Sequence, residues 1–145
     1  MYFISAINTF LKAKKLTSIQ IARYALTFSW LYHGIFPKLL YVAPYEKLLI
    51  DSFGFSEQVS YFITKSAGVS EVIFGGVIFI FYRIKSIILL NIFALFGLII
   101  FVAVLQPQLL VEAFNPVTTN IMMIALSVIL FNELQAEEQQ DNRNH

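Results

Sequence analysis

The sequence predicts an all-α protein, a four-transmembrane-helix bundle with short interfacial helices and both termini cytoplasmic. Three observations carry that expectation. Of 145 residues, 58% are hydrophobic and only 13% charged, where an ordinary soluble domain carries about 25% charged residues. Four stretches, at 19–36, 61–82, 86–105 and 116–134, are apolar over lengths near the ~20 residues that cross a bilayer. Finally, Lys12, Lys14, Lys15, Arg83, Lys85 and Arg143 fall on one side of those stretches, with Lys38 and Lys47 on the other. Basic residues favour the cytoplasmic side, which gives an N-in/C-in, multi-pass topology in a cytoplasmic membrane.

Residues 1–18 form the first segment. Phe3, Ile7, Phe10 and Leu11 share a helical face and the lysines follow, as in an amphipathic, basic helix lying on the cytoplasmic leaflet. A frayed terminus is the alternative. With no basic residue ahead of the apolar ones and no small-residue cleavage site, a cleavable leader is not expected. The first span carries Arg23 about one turn inside its cytoplasmic end, from where a long side chain snorkels to the phosphates. That span leaves through Trp30-Leu31-Tyr32-His33-Gly34-Ile35-Phe36-Pro37-Lys38. Pro37 has no N–H for the His33 carbonyl, so the helix end should bend. In the outer loop, Pro44 opens a short interfacial helix and Gly54 closes it.

Lys65 marks the outer boundary of the second span, and the Arg83-Ile84-Lys85 turn makes the second and third spans expected antiparallel neighbours. Asn115 caps the fourth span, with Pro116 at its first position. The polar residues 135–145 should be a disordered tail. No repeats or linkers occur, so 19–134 reads as one membrane domain.

Glu71 stands out as the only charged residue of Ser66–Tyr82. A carboxylate at mid-membrane costs about 2.5–3.5 kcal/mol on insertion scales, so it needs a polar partner or a role. Ala67 and Gly75, its i−4 and i+4 neighbours, make a small-residue stripe of the kind that faces another helix. His33 lies at a similar depth and Lys38 just above, able to reach down, and either within hydrogen-bond reach would keep Glu71 ionised. A neutral, hydrogen-bonding acid that only specifies packing is the alternative. Asn115, Thr118, Thr119 and Asn120 arrive at the same end from the fourth span. The expected result is a small outer pocket of His33, Lys38, Glu71, Asn115, Thr118 and Asn120. Aromatic side chains, Trp30 foremost with Tyr32, Phe36 and Phe114, would line its lipid-facing wall. Such a pocket suits a quinone-like or isoprenoid lipid.

Several chemistries are excluded. The chain has no cysteine, hence no disulfide, thiolate metal site or Fe–S cluster. Its two histidines are His33 and His145 in the tail, so no haem is held between two membrane histidines. No carboxylate cluster suits a metal pair. No glycine-rich strand-to-helix turn encodes a dinucleotide site. A net charge of +1 gives no field for nucleic acid.

Three elements resemble the DoxX-like family of small bacterial membrane proteins: Arg23–Lys38 (RYALTFSWLYHGIFPK), Ala67–Gly76 (AGVSEVIFGG) and Phe114–Asn120 (FNPVTTN). The resemblance runs from about Ile19 to Leu130. It implies a four-helix bundle of the bacterial inner membrane, with polar positions at Lys38, Glu71, Asn115 and Asn120. It also implies an accessory place in redox-associated membrane systems, with oxidoreductase subunits as partners and quinone as the ligand. Nothing in the chain supplies catalysis, so an enzyme in its own right is not expected. The competing readings are a membrane scaffold or assembly factor without ligand, and a small carrier or channel acting as a homo-oligomer among membrane lipids.

Overall fold

The structure is a computed structural model, and it describes residues 17–113 and 115–144. The amphipathic segment expected over 1–18 therefore lies almost wholly outside the described residues, as does Phe114. Every regular element among the described residues is helical. Helix α1 spans Ser18–Gly34 and is continued by a π-helical turn, Ile35–Leu40. A short helix α2 covers Pro44–Asp51. Two long helices follow, α3 over Glu57–Phe81 and α4 over Lys85–Leu105. A 3₁₀ turn at Pro107–Leu110 leads to α5, Pro116–Asn144. Helices α3, α4 and α5 are each long and apolar enough to cross a membrane.

Local chemistry accounts for the boundaries. The Thr17 hydroxyl accepts from the Gln20 N–H and starts α1. Ser56 does the same for Val59 at the start of α3. Asn115 Oδ1 accepts from the Thr118 N–H at 2.9 Å, and the Asn115 Nδ2 donates back to the Glu112 carbonyl. This reciprocal cap satisfies orphan groups on both sides of the α5 start. Gly54, at φ +70°, closes the turn after α2, a conformation that costs glycine nothing. Pro37 interrupts the α-type ladder, and the chain responds by widening. Tyr41 donates to Phe36 and Ala43 to Pro37, so the extra residue is absorbed in a π turn, and helix continues past the proline.

The packing is uneven. Helix α1 lies against both α3 and α5, and α4 lies against α5, whereas α3 and α4 touch only sparsely. The tight Arg83 turn thus joins two helices that are poor packing neighbours, contrary to the sequence expectation. Two causes are visible. Gly34 and Gly68 let α1 and α3 approach backbone to backbone: a Cβ on Gly34 would stand 2.6 Å from the Gly68 carbonyl. On the other side, Asn91 of α4 is fully buried and directs α4 toward α1 and α5. Its Oδ1 accepts from the Trp30 indole at 2.7 Å, and its Nδ2 donates to Ser127 Oγ at 2.7 Å. Around this chain of polar groups lie Leu26, Ile78, Ile88, Leu95 and Leu130, all buried.

The tail also differs from expectation. Residues 135–144 continue α5 as helix. Glu137 pairs with Arg83 at 3.2 Å, and Glu138 pairs with Lys85, so the polar extension is held against the basic α3–α4 turn. Composition alone gave no sight of those partners.

Candidate functional site

Lys38 occupies the π turn, and the wider turn carries it onto α3. Its Nζ donates to Glu71 Oε1 at 2.6 Å and lies 3.3 Å from Glu46 Oε1 of α2. Three elements thus meet at one ammonium. The Lys38 and Glu71 side chains are only 10% and 12% exposed, which makes this a buried pair; Glu46 is 23% exposed. Charge-assisted bonds of this length are among the strong ones. The Gly34–Gly68 contact fixes the geometry, because a Cβ on Gly68 would collide with Lys38 Cβ at 2.8 Å. Lys65, from α3, donates to the Leu39 carbonyl at 2.7 Å. That carbonyl belongs to the last turn of the π segment and would otherwise lack a donor. The two lysines therefore tie the π turn to α3 in opposite senses, one as cation to carboxylate and one as donor to backbone.

One atom of the site is left over. Glu71 Oε2 is buried and has no hydrogen-bond partner among the described residues. Buried polar atoms are nearly always paired, and an exception asks for a donor.

The remaining residues singled out from the sequence are dispersed. His33 is half-buried with its ring edge-on to Tyr32, and among the described residues it makes no hydrogen bond to Glu71; Lys38 takes that place. Trp30 does not line a lipid-facing wall. It is 6% exposed, bonded to Asn91 and packed edge-on against Phe74. Asn115 and Thr118 are spent on the α5 cap. Asn120 is buried on α5 without a bond to Lys38 or Glu71 among the described residues. The small stripe of α3 is Gly68 and Gly75, both buried against α1; it shares Gly75 with the Ala67–Glu71–Gly75 series but has Gly68 in place of Ala67. Arg23 finds protein partners at the far end of α3. It donates to the Phe79 carbonyl at 2.9 Å, capping the end of α3, with its guanidinium over the Phe79 and Tyr82 rings.

Three participants were missed. Asn91 and Ser127 were legible by the same signal that singled out Glu71, as polar residues in otherwise apolar stretches. Glu46 carried no such signal, since a carboxylate in a short loop helix is unremarkable until the fold brings it to Lys38.

A match to the DoxX-like family covers residues 27–128, more than half of the chain and all of the Lys38–Glu71 site. The chain belongs to the DoxX-like family. No curated protein and no solved structure matches it. Membership and the three apolar helices together make this a small membrane protein of the DoxX-like type. At its Lys38 end a buried ion pair can offer a ligand one carboxylate oxygen. Lys38 has three N–H donors, and two of its neighbours are carboxylates, so one donor remains.

Proposed function

We propose that this DoxX-like protein is a four-span, N-in/C-in protein of the bacterial cytoplasmic membrane. In this reading it serves as a non-catalytic accessory subunit of a redox-associated system and holds the head of a quinone-like or isoprenoid lipid at Lys38 and Glu71. The single observation that carries the ligand is the orphaned Glu71 Oε2 beside Lys38. A hydroquinone hydroxyl donates to that oxygen, and a quinone carbonyl accepts from the spare ammonium N–H. In this reading the apolar tail lies along the seam where α3 and α4 touch only sparsely. Above it, Phe53 stacks on Phe101 with ring centroids 6.1 Å apart. Gly97, one turn before Phe101 on the same face of α4, has open space where a side chain would stand.

The fourth span in this reading is α1 with its π turn. The 17 residues of α1 reach about 26 Å at 1.5 Å each, short of the ~30 Å hydrocarbon core. Residues Ile35–Leu40 make up the difference. Arg83 and Lys85 at the opposite end support the inward placement of both termini.

Native mass spectrometry of protein extracted with its own lipids tests the ligand, wild type beside Glu71→Gln. A quinone-sized adduct lost in the variant is the expected result. The scaffold reading is favoured by the close Gly34–Gly68 contact, because the same ion pair then only locks α1 to α3. It predicts no adduct in either protein.

A further inference from the structure

A cleft of about 270 Å³ opens at the Lys38 end, between Lys47 and Asp51 of α2 and Glu57, Ser60, Tyr61 and Thr64 of α3. None of the residues at the ion pair lines it. Its polar groups are mostly acceptors. Asp51 is exposed, and its carboxylate makes no ion pair among the described residues. Glu57 is 91% exposed and meets Lys47 only at 3.6 Å, a surface contact that contributes little and yields readily to a competitor. Thr64 spends its hydroxyl proton on the Ser60 carbonyl and keeps its lone pairs. Ser60 is 7% exposed, and its Oγ has no partner among the described residues. One lysine against two carboxylates leaves the lining one negative charge in excess.

We propose that this cleft binds a primary ammonium carried next to an anionic group, the chemistry of an ethanolamine phosphate. The ammonium has three N–H donors for Asp51, Ser60 Oγ and Thr64 Oγ1; the Tyr61 ring beside them is taken by the Lys65 ammonium, 5.1 Å from its centroid. The anionic group takes Lys47 at the rim, in place of its loose contact with Glu57. A phospholipid headgroup and a free zwitterion share this chemistry, and a volume of about 270 Å³ admits either. The site is independent of the lipid proposed at Glu71.

The test is native mass spectrometry in detergent micelles with dihexanoyl phosphatidylethanolamine, its choline analogue and its glycerol analogue as probes. Wild type should retain the ethanolamine lipid about fivefold better than the choline lipid, which has the charge but no N–H. Asp51→Asn, an exposed substitution that leaves packing intact, should lose about tenfold in that retention, the scale of one charge-assisted hydrogen bond. Ser60→Leu, which fills the cleft, should lose it entirely, whereas Glu71→Gln should keep it. Equal retention of the three lipids, an Asp51→Asn protein as competent as wild type, or loss in Glu71→Gln would each overturn the proposal. Free phosphoethanolamine added in excess separates the two sources: displacement of the lipid supports a soluble zwitterion, and persistence supports a membrane-anchored headgroup.

Discussion

Removing the Lys38 ammonium while leaving its carboxylates should destabilise the protein far more than removing both charges of the pair. In Lys38→Met the methylene stem is largely preserved, and the Glu71 carboxyl, 12% exposed, faces Glu46 without a cation between them. Breaking a buried pair on one side costs about 3–5 kcal/mol, because the surviving charge stays desolvated. At ~1.4 kcal/mol per decade, that lowers the folded-to-unfolded ratio by two orders of magnitude or more. Lys38→Met/Glu71→Leu removes both charges, and a swap of this kind is nearly neutral or mildly stabilising. Glu46, at 23% exposed, can then turn to solvent. Reversible unfolding in mixed micelles of wild type, Lys38→Met, Glu71→Leu and the double variant gives four free energies, and the coupling between positions 38 and 71 follows from that cycle. Additive losses, with the double variant the least stable, would refute the claim that the pair is desolvated.

Gly34→Val should cost about 1–3 kcal/mol by overpacking, since its Cβ would lie 2.6 Å from the Gly68 carbonyl. The same unfolding assay reads it, and Gly97→Ala, which meets nothing within 4 Å, should instead stabilise the protein by about 0.5–1 kcal/mol, the cost of glycine inside a helix. Asn91→Leu leaves the Trp30 indole N–H without its acceptor. A loss of about 1–3 kcal/mol is expected, together with a shift in Trp30 fluorescence, which reports on the only tryptophan in the chain. Glu137→Gln with Glu138→Gln removes two ion pairs whose members are mostly exposed. The effect should stay below about 1 kcal/mol and vanish in high salt. A thermal midpoint that falls equally at low and high salt would show that those pairs are not acting through charge.

How much of this was legible depends on whether a residue's partner could be inferred from its own neighbourhood. The all-helical class and the three long apolar helices follow from hydropathy and caps, which are local. The Asn115–Pro116 start of α5 was readable residue by residue, and the structure forms that cap. Lys38 and Glu71 were singled out because charge in an apolar run demands compensation, but the choice of Lys38 over His33 is made by the π turn, whose extra residue sequence periodicity does not announce. Trp30, Asn115 and Thr118 were assigned to a pocket on depth alone. Depth fixes the level along the bundle and leaves the direction of the side chain open, so the core network and the helix cap claimed them instead. The helical tail escaped notice because its partners, Arg83 and Lys85, lie more than fifty positions away.

The lopsided packing has a consequence for how the bundle is made. As the chain emerges from the ribosome, α1 and α3 can close on each other through Gly34 and Gly68 as soon as both have been made. Helix α4 has little to hold on α3, and its Asn91 enters lipid with two polar groups to satisfy. Trp30 offers one partner early, but Ser127 arrives only with the last helix. Synthesis of α5 is therefore the step that completes the bundle, and until then α4 is the helix that quality-control proteases and membrane chaperones would find unassembled.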